Sequence, residues 1–148
     1  MKRRITVLAV AVIAVLSIAT PAQAAPSSTS FMAFLSGHNE VPAGSGDPDA
    51  GGVALLSLKA NRQLCWVIFT HKVDGTINSA HIHAGRAGKE GDIVVTLSKS
   101  PVGCTWVSRR VAWALWAHPR SYYVNVHSMP NYPDGALRGQ LVKSRSPR

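Results

Sequence analysis

Apolar and polar residues alternate in short runs along most of the chain beyond residue 30. Side chains on a strand alternate faces, so such runs predict half-buried strands. Segments 31–36, 52–58 and 64–71 read as three strands, and 64–71 is apolar enough to be central. The pattern resumes at 77–83, 92–97, 104–107, 122–127 and 136–142, with turn residues between, such as Asp74-Gly75 and Asn131-Tyr132-Pro133-Asp134-Gly135. Segment 37–52 is rich in Gly, Pro, Asp and Asn and reads as a loop, which Glu40-Val41-Pro42 would pin to the core. One stretch has helical spacing. It runs over 108–117, with Ser108 as N-cap, Val111, Leu115 and Trp116 facing inward, and Pro119 as the stop. Many short strands, frequent turns and one short helix predict an all-β domain. The expected form is an antiparallel β-sandwich of the Greek-key, immunoglobulin-like kind.

The alternation also sorts the histidines. In Ala80-His81-Ile82-His83, Ile82 suits the core, so His81 and His83 share the other face. In Val124-Asn125-Val126-His127 the valines suit the core, and His127 points outward as well. Three neutral imidazoles with an open fourth position suit copper or zinc. Three surface histidines bonded to carboxylates such as Glu40 or Asp134 would give the same pattern, and the spacing leaves both readings open.

The start of the chain follows a different pattern. Met1-Lys2-Arg3-Arg4 is basic, an apolar run extends from Ile5 to Ile18, and Ala22-Gln23-Ala24 offers small residues for cleavage. This predicts a secretory signal peptide over 1–24, cut before Ala25. A membrane anchor is the alternative, but the run is short for a bilayer span. Residues 25–30 read as a flexible leader, 31–142 as one domain and 143–148 as a basic tail. No later run is long and apolar enough to span a membrane.

Charge changes this picture little. Without the three basic residues of the leader, 16 Lys and Arg against seven Asp and Glu become 13 against seven, or +6. That balance admits anionic partners such as envelope polymers, but the basic residues are scattered and read as solvated surface. Export argues against nucleic acid. Two cysteines in an exported chain predict one disulfide, Cys65–Cys104. Thiolate metal ligation lacks the C-x-x-C spacing.

Several sequence blocks carry a resemblance. Phe34-Leu35-Ser36-Gly37-His38-Asn39-Glu40-Val41-Pro42 resembles the opening of the CHRD domain, named after chordin. So do Ala80 to Gly85, Gly91 to Leu97, the helix before Tyr123-Val124-Asn125-Val126-His127-Ser128, and the ending Asp134 to Leu141. The resemblance runs in family order over residues 31–142 and implies a secreted β-sandwich, without assigning an activity. The same blocks bear a fainter likeness to copper–zinc superoxide dismutase, with His81, His83, His127 and Arg138 at matching positions. Residues 85–91 lack the histidine that would bridge two metals there, and no zinc cluster follows. A single copper remains, with water, His38 or His71 as a fourth ligand.

The remaining candidates have plain readings beside the functional ones. His38 and His71 suit exposed surface. His118 ends the helix, where a cation suits the dipole. Arg138 would draw an anion to a metal or pair with Glu40 or Asp134, and pairing is the simpler role. Trp66, Trp106, Trp113 and Trp116 suit core and edge packing, with Trp113 and Trp116 as an alternative sugar-binding platform. The chain has neither a phosphate-loop pattern nor a G-x-S-x-G elbow, and no carboxylate pair stands out for acid–base work. The expectation is therefore a binding or structural module, not an enzyme first. Its partner would be an extracellular protein or envelope ligand, and one copper ion, or zinc, would sit on the histidine face. The alternative is a copper-dependent redox protein related to superoxide dismutase.

Overall fold

The computed structural model describes residues 28–144. The expected signal peptide, residues 25–27 and residues 145–148 lie outside the described residues. Nine strands form one curled antiparallel sheet: β1 (Ser28–Ser36), β2 (Gly51–Lys59), β3 (Gln63–His71), β4 (Thr76–Ala84), β5 (Ile93–Thr96), β6 (Val102–Trp106), β7 (Tyr122–Met129), β8 (Tyr132–Gln140) and β9 (Val142–Lys143). The spatial order is β5-β4-β7-β8-β1-β2-β3-β6, with β9 paired to β1. A single bridge, Ser36 to Arg138, joins β1 to β8. The sheet curls there, so the inner faces of its two halves share one core. Phe31, Leu56 and Leu64 come from one half and Ile82, Val124 and Leu137 from the other, all at most 3% exposed.

The predicted all-β character with one short helix is observed. Helix α1 (Arg109–Ala117) starts where Ser108 Oγ accepts the Val111 N–H at 3.2 Å. Its inner face differs from the expected one. Ala112 and Leu115 are buried and Val111 packs at the margin, whereas Trp116 faces solvent. Trp106 is also exposed, at the edge strand β6, and of the four tryptophans only Trp66 belongs to the core.

Two boundaries move. Ser28, Thr29 and Ser30 belong to β1, paired with Lys59, Leu58 and Ser57, so this part of the expected leader is ordered by a ladder. Lys143, assigned to the tail, pairs with Phe31 in β9. Backbone hydrogen bonding offered by a neighbouring strand overrides the local composition in both places. The Cys65–Cys104 disulfide links β3 to β6 at directly opposed positions.

Candidate metal centre

The site lies on the outer face of β4, β7 and β8. Ala80 and Ile82 point into the core, as do Val124 and Val126, which turns His81, His83, Tyr123, Asn125 and His127 to the opposite side. Register then sets the neighbours. His81 lies opposite Asn125, His83 opposite Tyr123, and His127 opposite Ser79. Arg138 lies opposite Asn125 from the other side, on β8.

This face is not open. The segment between β1 and β2 folds over it and buries Glu40, and the segment between β4 and β5 covers His83 and Arg138. His127 is 9% exposed, Glu40 5% and Arg138 2%. An outward strand position is therefore a partly buried site here.

Two backbone carbonyls orient the imidazoles. His83 Nδ1 lies 2.8 Å from the Gly91 oxygen, and His127 Nδ1 lies 2.9 Å from the Pro133 oxygen. A carbonyl only accepts, so each Nδ1 carries the proton and each Nε2 carries the lone pair. His127 Nε2 in turn lies 3.2 Å from His81 Nδ1. His83 Nε2 is buried without a hydrogen-bond partner. One nitrogen from each ring falls within 4.8 Å of the others, and the group can hold a metal ion. Nitrogens about 2.0–2.1 Å from one tetrahedral ion stand about 3.4 Å apart. The His81–His127 edge, at 3.2 Å, is already at that scale.

The local electrostatics favour neutral rings. Burial lowers the pKa of His81, and the neighbouring His127 and His83 lower it further. Burial also lowers that of His83, with the bond to Gly91 opposing. Neutral imidazole is the form that ligates metal.

Gly91 is required where it stands. A Cβ there would fall 1.5 Å from the Ala84 oxygen, so only glycine lets this backbone approach β4 and present its carbonyl to His83.

Arg138 engages backbone carbonyls and an aromatic ring through its guanidinium. Its Nη2 donates to the Arg86 oxygen at 3.0 Å and the Lys89 oxygen at 2.6 Å, and its guanidinium lies 3.5 Å from the Tyr123 ring centroid. The single ion pair among the described residues is Lys72–Asp49, so Arg138 pairs with neither Glu40 nor Asp134. Tyr123 stacks on His83 at 4.9 Å between centroids. Arginine thus fastens the covering segment while tyrosine packs against the His83 ring.

Glu40 receives a 3.5 Å contact from Asn125 Nδ2, and its Oε1 is buried without a partner. Burial pushes its carboxyl up to about 7, against the pull of Arg138 and Asn125. The other expected accessory residues lie elsewhere. His38 is exposed in the 3-10 turn Gly37–Asn39, and His71 is exposed at the end of β3, its ring against Gly51. Neither joins the three-histidine group.

Tyr123, Asn125, Gln140 and Gly91 were not singled out from sequence. The first two share the alternating face of His127, a signal that the pattern did contain. Gln140 Nε2 reaches the carbonyls of Gly85, Arg120 and Tyr122, contacts that strand periodicity alone does not show.

The CHRD domain family model matches residues 31–141. No curated protein and no solved structure matches the chain.

Proposed function

The chain belongs to the CHRD family, and from that premise we propose an exported binding module that holds one copper or zinc ion through His81, His83 and His127. The observation that carries this reading is the orientation of the rings. Two backbone carbonyls engage Nδ1 of His83 and His127, which leaves His127 Nε2 facing His81 at 3.2 Å and His83 Nε2 buried without a partner, with one nitrogen of each ring within 4.8 Å of the others. Ligating histidines characteristically donate their second ring N–H in this way, which fixes the tautomer and raises ligand basicity. Three nitrogen donors suit copper or zinc and leave a position for water or a partner group. Export is supported by the pattern of residues 1–24 and by the Cys65–Cys104 disulfide. The strand order supports reading the curled sheet as a Greek-key sandwich, because the β3–β4, β5–β6 and β6–β7 connections cross between its halves.

The redox alternative lacks a comparable observation. The arginine that would draw an anion to the ion is committed to the carbonyls of Arg86 and Lys89.

Titration of the metal-free protein with Cu(II), Cu(I) and Zn(II) at neutral pH tests the proposal. Stoichiometric binding is expected, weakening as pH falls through about 6.5 as protons compete for the rings. The His81→Ala/His127→Ala double variant should bind far more weakly. Equal binding by wild type and double variant would end the metal reading.

A further inference from the structure

A second surface stands apart from the histidines. Helix α1 carries Trp113 and Trp116 at i and i+3, on one side of the helix, and they are 60% and 51% exposed. Large aromatics left in water on one short helix form a contact surface rather than a packing element. Beside them runs an open groove of about 830 Å³, with Arg86, His118, Arg120 and Lys143 among its walls. No aspartate or glutamate lines it. The one ion pair among the described residues, Lys72–Asp49, lies elsewhere, so no carboxylate pairs with Arg86, Arg120 or Lys143.

Both tryptophans adjoin the groove. The Lys143 ammonium lies 4.6 Å from the Trp116 ring centroid, and the Trp113 and His118 ring centroids are 5.7 Å apart. Cationic groups that line the cleft therefore stand beside flat apolar faces at its edge. The carbonyl bonds made by Gln140 tie Arg120 and the β4–β5 segment together, which holds the two walls in place.

We infer that this groove binds an anionic glycan, a sugar chain carrying sulfate, carboxylate or phosphate groups. The indoles would stack against the apolar faces of sugar rings, and Arg86, Arg120 and Lys143 would take the anionic substituents. Charge alone fits any polyanion. The tryptophans call for flat rings between the charges, and sugars and nucleobases both supply them. The disulfide decides between these, because it belongs to an oxidising compartment, where acidic polymers are chiefly glycans. This inference does not depend on metal binding, since none of the three histidine ligands lines the groove.

Fluorescence titration of the purified protein with heparin oligosaccharides tests it, alongside sugar-free polyphosphate, a single-stranded DNA oligonucleotide and phosphatidylglycerol vesicles. Heparin should quench the exposed indoles and bind more tightly than the other three at physiological salt. The Arg120→Glu/Lys143→Glu variant should bind heparin at least about tenfold more weakly, with a shallower dependence on salt. The Trp113→Ala/Trp116→Ala variant should lose about tenfold for heparin and nothing for polyphosphate. Should that variant melt early, protection of the wild-type indoles from a soluble quencher by heparin reads the same contact. Four results overturn the inference: no heparin binding at physiological salt, tighter binding of DNA or of vesicles, equal affinity for heparin and polyphosphate with no effect of the tryptophans, and indoles left unprotected.

Discussion

Glu40 is a carboxyl group buried beneath its own loop, with one oxygen unpartnered. Its ordinary value of 4.5 rises to about 7 because burial disfavours the charge. In the unfolded chain the proton leaves near 4.5, whereas the folded protein holds it until about 7. Between those values the folded state binds more protons, so this group erodes stability as pH rises. Glu40→Gln cannot titrate. Its stability relative to wild type should therefore climb from pH 4.5 to 7, by on the order of 2–3 kcal/mol at full burial, in urea melts at several pH values. A flat difference across that window would show that Glu40 titrates normally. His81 and His83 act with the opposite sign. Their folded pKa values are lowered, so the unfolded chain takes up more protons as pH falls below 6.5 and stability is lost on the acid side. His81→Gln should make acid unfolding of the metal-free protein less steep. The His81-Ile82-His83 pair was legible in the sequence because strand alternation fixes a shared face. The burial of that face was not, because the covering residues arrive from distant loops.

At the scale of elements, the β4–β5 segment works as a clamp. It presents the Gly91 carbonyl to His83 and is itself fastened by Arg138 from β8. Gly91→Ala should displace this backbone, since its Cβ has no room against Ala84. The expected result is roughly tenfold or more weaker metal binding, as for loss of other groups that orient a ligand, together with a lower melting temperature. Unchanged affinity for the metal would show that the Gly91 carbonyl does not orient His83. The helix offers an independent check. Ser108→Ala removes the hydroxyl that caps Val111 and should cost about 1 kcal/mol of stability while leaving metal binding intact. The cap, the stop at Pro119 and most strand positions could be read locally. The inward face of α1 could not. Helical spacing put Trp116 inside beside Leu115, whereas the folded helix buries Ala112 with Leu115 and leaves Trp116 exposed.

For the molecule as a whole, the disulfide closes a separation of 39 residues between strands β3 and β6. Cross-linking a loop of that length limits the unfolded chain, so Cys65→Ser/Cys104→Ser should lose about 4 kcal/mol in equilibrium urea unfolding. A loss near zero would place the chain's stability in the strand ladder alone. The two cysteines announced their pairing because the leader pattern predicts export, and a lone pair in an exported chain has few other roles. Charge behaved differently. The basic residues look scattered along the sequence, yet folding gathers Arg86, Arg120 and Lys143 around one groove from three separate segments.

The sequence by itself determined what is periodic or local: which residues share a strand face, where the helix is capped and stopped, and that the H-x-H pair points one way. Those properties follow from backbone geometry over a few residues, so no distant contact is needed to establish them. Only the tertiary structure decided that β7 lies beside β4, bringing His127 to His81. It also set the tautomers through Gly91 and Pro133, turned Arg138 to the carbonyls of residues 86 and 89, and put Trp113 against His118 and Trp116 against Lys143, two residues of the groove wall. Each of these depends on which segments, far apart along the chain, exchange hydrogen bonds or packing contacts, and hydrophobic period does not specify that choice.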